Sequence, residues 1–158
     1  MKILAVSAVI ISFDQISKSL IKNSLNLFDS IPVIENFFHL TFIKNSGMAF
    51  GLNFPGGIYF FTVASLILTC ILFLLLWKER YSSIYIRLAL AFIIGGAIGN
   101  LIDRILYREV VDFLDFMIGD HHWYIFNLAD ASVSIGMAIL VIRTIFFTPK
   151  QSDTILSH

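Results

Sequence analysis

Acidic residues gather in one stretch of the sequence, between Gly99 and Asp130. Five of them precede Asp130, namely Asp103, Glu109, Asp112, Asp115 and Asp120. Long apolar runs flank the stretch on both sides, so these carboxylates lie where hydrophobic segments reach water. Ionisable groups are costly beside a membrane and usually mark a functional site. We interpret two of them as a catalytic pair at a membrane surface.

A pair of neighbouring carboxylates is suited to general acid–base chemistry. The two groups do not both ionise readily, so they hold one proton between them. One then activates water as a general base, and the other protonates the carbonyl oxygen or the leaving amine. The sequence contains no G-x-S-x-G motif, no P-loop and no suitably placed Ser-Lys pair that would indicate other hydrolytic machinery. Amide hydrolysis without a nucleophile or a metal is therefore the predicted reaction.

The spacing alone does not decide which acid pairs with Asp130. Asp112 and Asp115 belong to the same Val-Val-Asp-Phe-Leu-Asp run. If that run is helical, the two side chains share a face, and if it is extended, they point to opposite sides. We expect whichever acid is left out of the pair to be a solvated loop residue.

The composition indicates a membrane protein. The chain of 158 residues is 58% hydrophobic and only 14% charged, which is too apolar for an ordinary soluble domain. At this length a single membrane domain, 1–158, is the natural unit. The formal net charge of zero argues against a nucleic-acid partner, because such a partner requires a basic face.

Four apolar segments are long enough to cross the ~30 Å hydrocarbon core as helices. The predicted spans are 3–21, 58–77, 83–104 and 126–147. Residues 33–45, within the loop 23–57, are rich in aromatic and β-branched residues with partial alternation, which indicates β-structure on the membrane surface. Residues 105–125 are predicted to form a polar loop. The fold class is therefore an all-α membrane protein with four transmembrane helices and a small extracytoplasmic β-structure between helices 1 and 2.

An even number of spans places both termini on the same side of the membrane. The Met1-Lys2 start favours the cytoplasm for that side. Glu79 and Asp153 are the only acids there, and the other nine of the eleven lie opposite. We therefore expect the acidic cluster near the extracytoplasmic face.

Three smaller features bear on the site. Asp14 and Lys18 are four apart on one helix face, so they form either an ion pair at the membrane edge or a support for a polar site. Asn127 is able to cap the fourth helix, because its side chain can accept a hydrogen bond from the backbone amide of Asp130. His121 and His122 are adjacent and have no third ligand nearby, so we predict no metal site.

Five short motifs follow one another from the first span to the fourth. They are Asp14-Gln-Ile-Ser-Lys18, Asn45-x-Gly47-x-Ala49-Phe50, Gly99-Asn100-x-x-Asp103-Arg104, Val111-Asp112-Phe113 and Phe126-Asn127-x-Ala129-Asp130. In order and spacing they resemble the motif series of bacterial lipoprotein signal peptidase (signal peptidase II), with no departure at a motif position. The resemblance implies a membrane aspartic endopeptidase that cleaves prolipoproteins on the N-terminal side of a diacylglyceryl-modified cysteine.

Carried over by position, the resemblance makes Asp112 and Asp130 the catalytic dyad. It assigns substrate-binding or supporting roles to a further set of residues: Asp14, Lys18, Asn45, Gly47, Asn100, Asp103, Arg104 and Asn127. It implies no cofactor and no metal. The expected partners are diacylglyceryl-modified prolipoproteins and membrane lipids, and the expected location is the bacterial cytoplasmic (inner) membrane.

Two other classes of function compete with the peptidase. An ion-coupled carrier also places acids in membrane helices, but it typically has repeated halves or a broken helix at mid-membrane. The sequence has no internal repeat, and its acids lie near the interface. A noncatalytic assembly subunit would have no need of an acid pair.

Overall fold

The structure is a computed structural model, and it describes residues 2–46, 56–119, 121–122 and 124–147. Four helices, α1 to α4, are each long and apolar enough to cross a membrane. In chain order they are Leu4–Ser24, Gly57–Lys78, Ile84–Tyr107 and Leu128–Phe147. This confirms the predicted four-helix membrane fold. The helices α1 and α3 each end three residues beyond the spans expected from hydropathy.

The centre of the bundle is α3, which packs against all three other helices. Small residues on its surface permit close approach, as is common where membrane helices meet. A Cβ added to Gly96 would lie 2.2 Å from the carbonyl oxygen of Ala129, on α4. On α4 itself, a Cβ added to Gly136 would lie 2.6 Å from the carbonyl oxygen of Ala89. The two helices are therefore antiparallel and held at backbone contact distance.

A four-stranded antiparallel sheet covers one end of the bundle. Its strands, in sheet order, are β1 (Ser30–Ile34), β2 (Phe38–Asn45), β3 (Val110–Ile118) and β4 (His121–His122). The pair β1 and β2 confirms the β-structure predicted between helices 1 and 2.

The prediction of a polar loop at 105–125 is wrong, because this segment contributes β3 and β4 to the same sheet. The alternation expected of a half-exposed strand is missing, since six of the nine residues of β3 are buried, four of them apolar and two of them acids. Burial on both faces of a strand removes the period of two. The reversal occurs at Arg108, whose positive φ of 60° ends α3.

The strand β3 links the sheet to the start of α4. It pairs with β2, with Ile43 opposite Asp112 and His39 opposite Asp115. On its other side, the amides of Phe113 and Leu114 donate to the carbonyl oxygen of Phe126. Phe126 lies directly before the polar residues that begin α4, so this bridge brings Asp112 towards Asp130.

Candidate active site

Asp112 is a buried strand residue, with only 2% of its surface exposed. Asn127 Nδ2 donates to its Oδ1 at 2.6 Å, and Asn45 Nδ2 donates to its Oδ2 at 3.3 Å. Burial raises the pKa of Asp112 to about 7, and the charge of Asp130 adds to this effect against the opposing hydrogen bonds of the two amides. The carboxyl group is therefore poised to exchange a proton near neutral pH.

Asp130 lies in the first turn of α4, opposite the end of α3. Its amide donates to Asn127 Oδ1 at 3.0 Å, as predicted for a helix cap. In return, the amide of Asn127 donates to Asp130 Oδ2 at 3.3 Å. Such reciprocal capping fixes the first turn of a helix and the direction of the acidic side chain.

Asn100 connects the two halves of the site. Its Nδ2 donates to Asp130 Oδ1 at 2.8 Å. Its Oδ1 accepts from Asn127 Nδ2 at 3.1 Å and from Lys18 Nζ at 2.9 Å. Asn127 therefore contacts both Asp112 and Asp130, and Asn100 anchors this arrangement to a charged group deeper in the protein.

That charged group is a buried ion triad of Asp14, Lys18 and Asp103, each at most 1% exposed. The ammonium lies 2.8 Å from Asp14 Oδ2 and 3.1 Å from Asp103 Oδ2. Asp14 Oδ1 also accepts the amide of Ala129 at 2.9 Å, and Asp103 Oδ2 accepts the amide of Val111 at 3.2 Å. The triad thus holds the backbone beside each member of the acid pair. Of the two alternatives for Asp14 and Lys18, the geometry favours support of a polar site.

Arg104 projects from α3 between the acid pair and α2. Its Nη1 donates to Ser65 Oγ at 3.3 Å. Its charge interacts with those of Asp130 and Asp112. The Nε atom is buried without a hydrogen-bond partner among the residues that the structure describes. The guanidinium group therefore has a donor available for an additional hydrogen-bond acceptor.

Asp115 differs from the sequence-based expectation. It is completely buried rather than solvated, and it accepts a hydrogen bond from Thr41 Oγ1 at 2.7 Å. The reason is that its segment is a strand covered on both faces. Because the segment is extended, Asp115 points away from the side that carries Asp112.

Several supporting contacts were not predicted from the sequence. Gln15 Nε2 donates to Asp103 Oδ1 at 3.0 Å and to the carbonyl oxygen of Gly99 at 3.1 Å, and so joins α1 to α3. Tyr124 Oη accepts from Asn45 Nδ2 at 3.1 Å at the rim of the site. Gln15 lies next to Asp14 in the first motif, and its polarity within an apolar helix is the signal that was available.

Two predictions from the sequence are still to be considered, a site role for Gly47 and the absence of a metal site. Gly47 lies outside the described residues. Within the described part of the chain, no group of three His, Cys, Asp or Glu side chains is placed to hold a metal ion.

A comparison with family models identifies the family of the chain. The model described as signal peptidase (SPase) II matches residues 6–146, which is most of the chain. The chain belongs to this family.

Curated relatives of signal peptidase II type match over nearly the whole length. A lipoprotein signal peptidase of Syntrophus aciditrophicus is 40% identical over 90% of this chain and 91% of its own length. The lipoprotein signal peptidase of Desulforapulum autotrophicum is 45% identical over 89% of this chain and 90% of its own length. The lipoprotein signal peptidase of Bacillus pumilus is 39% identical over 94% of this chain and 96% of its own length.

Solved structures give the same picture of the fold. A bacterial membrane enzyme determined by the in meso method at 2.3 Å resolution is 31% identical, with a TM-score of 0.85 over 99% of this chain and 94% of that one. A second, at 1.9 Å, is 33% identical, with a TM-score of 0.83 over 93% and 94%. The chain is thus a multi-pass membrane protein of the signal peptidase II family.

Proposed function

We propose that Asp112 and Asp130 are the catalytic pair with which this chain cleaves prolipoproteins. As a member of the signal peptidase II family, the chain is an aspartic peptidase that removes signal peptides from prolipoproteins. The proposal adds the residues that act and the bond that is cut, on the N-terminal side of a diacylglyceryl-modified cysteine. The observation that carries it is the convergence of two carboxylates on one residue, Asn127, whose side-chain amide donates to Asp112 and whose backbone amide donates to Asp130.

The reaction requires one proton between the two acids. The ionised member takes a proton from water, whose oxygen attacks the scissile carbonyl carbon, while the protonated member donates to the carbonyl oxygen. When the tetrahedral intermediate collapses, the carbon–nitrogen bond breaks and the leaving amine takes the proton that the first acid received from water. The hydroxyl group formed from the carbonyl oxygen returns its proton to the second acid, which restores the pair. The raised pKa of Asp112 supports this scheme, since it keeps a proton available near neutral pH.

The remaining polar residues hold the pair or receive the substrate. Asn100 and Asn127 orient the two carboxylates, and the buried triad around Lys18 holds the adjacent backbone. Asn45 and Arg104 face the pair from the sheet and from α3, so they are suited to contact the peptide carbonyl groups next to the scissile bond. The resemblance of motifs adds Gly47 to the residues that contact substrate.

A lipid-modified substrate fits the position of the site. The acid pair lies where α3 ends and α4 begins, beside the membrane-surface sheet. A diacylglyceryl group is able to keep its chains in the bilayer while its cysteine reaches that depth. We further propose the bacterial inner membrane as the location, with both termini in the cytoplasm and the site near the extracytoplasmic face. Membrane lipids are then additional partners, whereas nucleic acid, cofactor and metal have no part.

The test is cleavage of a lipidated prolipoprotein by purified, folded variants. Asn keeps the shape of Asp but does not exchange a proton as a carboxyl group does. General acid–base catalysis typically contributes 10²–10⁴-fold. We expect Asp112→Asn and Asp130→Asn each to lose about that factor or more, with the double variant no worse than either single one, because the two groups act as a unit.

The matched control is Asp115→Asn, on the same strand but directed away from the pair. It removes a buried charge held by Thr41, so it is expected to lower stability. Activity per folded molecule should stay within a few-fold of the parent. The proposal fails if Asp115→Asn is inactive when folded while Asp112→Asn still cleaves.

A further inference from the structure

The end of the bundle far from the acid pair carries basic side chains. Here α2 ends, α3 begins and α4 ends. The charged residues described at this end, where α1 also begins, are five bases and one acid, namely Lys2, Lys78, Arg80, Arg87, Arg143 and Glu79. Exposed aromatic residues accompany them, such as Trp77 and Tyr85. Such a mixture of aromatic and basic residues is typical of a membrane–water interface.

A cleft of about 520 Å³ opens at this end between α3 and α4. Its volume is within the range of roughly 300–1,000 Å³ that is usual for ligand sites. Isoleucine side chains, Ile139 and Ile142, form part of its wall, and Ser83 and Arg143 supply polar groups. Because Ile142 and the neighbouring Phe147 are more than half exposed, the cleft is open towards the lipid-facing surface.

Arg143 and Ser83 line the polar part of this cleft together, and Arg87 lies one turn beyond Ser83 on α3. The antiparallel packing that places Gly136 on Ala89 brings Arg143, two turns further along, beside Ser83. Arg87 is one turn after Ser83 on the same face of α3, and its amide donates to the carbonyl oxygen of Ser83. Long helical side chains lean towards the helix N-terminus, which directs Arg87 back towards Ser83.

Two of these polar groups, those of Ser83 and Arg87, have unused hydrogen-bonding capacity, whereas Arg143 Nη1 already donates to the carbonyl oxygen of Phe147. Ser83 Oγ and Arg87 Nε are both buried and have no hydrogen-bond partner among the described residues. Within the described part of the chain, no carboxylate lies within 4.0 Å of Arg87 or Arg143. Buried polar atoms are nearly always satisfied, so an orphaned donor at the edge of a cleft points to an absent acceptor. An anionic acceptor fits best, because Arg143 lines the cleft and Arg87 lies one turn from its hydroxyl group.

We propose that this cleft binds an anionic phospholipid of the leaflet opposite the acid pair. Its phosphate would accept from Arg87, Arg143 and Ser83, and one acyl chain would lie along Ile139 and Ile142. Guanidinium groups are suited to phosphate, and basic pockets between membrane helices are known sites for anionic headgroups. A soluble anion would make no use of the apolar wall, and a zwitterionic lipid would bring a second cation to two arginines.

The experiment is a titration of short-chain phospholipids into the purified chain in detergent micelles, followed by thermal shift. Dioctanoyl phosphatidylglycerol should stabilise the protein in a saturable manner, and dioctanoyl phosphatidylcholine should not. Arg143→Gln and Arg87→Gln should each weaken the apparent affinity for phosphatidylglycerol by roughly fivefold or more. The control is Arg80→Gln, at the same end of the bundle, because the exposed guanidinium of Arg80 stacks on Trp77 and Tyr81. This variant should lose less than twofold in apparent affinity for phosphatidylglycerol.

A second variant tests the acyl-chain part of the cleft. Ile139→Trp narrows the apolar wall without changing charge, so it should also weaken phosphatidylglycerol binding, and it keeps the test open if Arg87→Gln does not fold. Equal binding of the two lipids, equal losses in Arg80→Gln and Arg143→Gln, or equal stabilisation by inorganic phosphate alone would each overturn the proposal. No turnover is measured, so the result is independent of whether the acid pair is catalytic.

Discussion

Replacement of Lys18 by methionine tests whether the buried triad holds the site together. Methionine keeps the length and apolar stem of lysine but removes the ammonium group. In the structure that group contacts three acceptors at 2.8–3.1 Å, from Asp14, Asn100 and Asp103. The substitution therefore removes all three of these charge-assisted hydrogen bonds at once and leaves two carboxylates buried beside each other.

The expected cost follows from that burial. Breaking a buried ion pair by removing one partner typically costs about 3–5 kcal/mol, because an uncompensated charge stays behind. Two carboxylates remain here, both at most 1% exposed, so we expect Lys18→Met to lower the free energy of unfolding by an amount near the upper end, about 4–5 kcal/mol. Much of the loss should appear as disorder at the starts of α4 and β3, whose amides these carboxylates accept.

The measurement is reversible unfolding in mixed micelles, and Lys44→Met provides the matched control. Lys44 pairs with Glu109 at 2.5 Å, but the two side chains are 38% and 29% exposed. Loss of such a pair should cost only about 0–1 kcal/mol. If Lys18→Met proves no more destabilising than Lys44→Met, the triad does not hold the fold. If Lys18→Met is fully stable but inactive, Lys18 takes part in the chemistry instead.

Three further predictions use other features of the structure. The raised pKa of Asp112, about 7 against an ordinary 3.8, means that the folded protein keeps a proton that the unfolded chain releases. The free energy of unfolding should therefore fall as the pH rises from about 4 to 7, and Asp112→Asn should exceed the parent in stability by up to about 4 kcal/mol at pH 8 but not at pH 4; a difference independent of pH would contradict this. Gly96→Ala should separate α3 from α4 and lower the free energy of unfolding in micelles by about 1–3 kcal/mol or more, because its Cβ would meet Ala129. In the control, Gly119→Ala, nothing lies within 4 Å of the new Cβ, so the positive φ alone should cost about 1 kcal/mol. A strong chelator should leave cleavage of a lipidated prolipoprotein unchanged, and recovery of lost activity on adding zinc would refute the two-acid mechanism.

The helical part of the fold was predictable because its signal is local. A run such as Ile58 to Trp77 contains twenty residues without a charge, and length and hydropathy suffice to identify a span. The cap at the start of α4 was also predictable, since Asn127 has the spacing needed to accept a hydrogen bond from the amide of Asp130. The return bond, from the amide of Asn127 to Asp130 Oδ2, is seen only in the structure. The resemblance of the five motifs added the family and the proposed identity of the pair, since spacing alone did not decide between Asp112 and Asp115 as the partner of Asp130.

The missed features depend on contacts between distant parts of the chain. The strand β3 is recognisable only once β2 lies beside it, because its residues are buried on both faces and show no alternation. Asp115 was expected in solvent for the same reason, and its partner Thr41 is 74 residues away in the sequence. Similarly, Ser65 has no distinguishing pattern in an apolar helix, and only the packing of α2 against α3 brings it to Arg104.

The arrangement of charges explains why the proposed pair keeps its proton. Two cations, Lys18 and Arg104, lie near the two carboxylates, and together they would favour full ionisation. The acids of the triad, Asp14 and Asp103, lie against Lys18 and offset its charge. The lowering effect of Lys18 on the pKa of Asp112 ranks behind burial, the charge of Asp130 and the hydrogen bonds from Asn127 and Asn45. Replacing either triad acid by a neutral residue would release the charge of Lys18 towards the pair and lower the pKa of Asp112. We therefore predict that the supporting acids also help the proposed pair to keep its shared proton, in addition to holding the backbone.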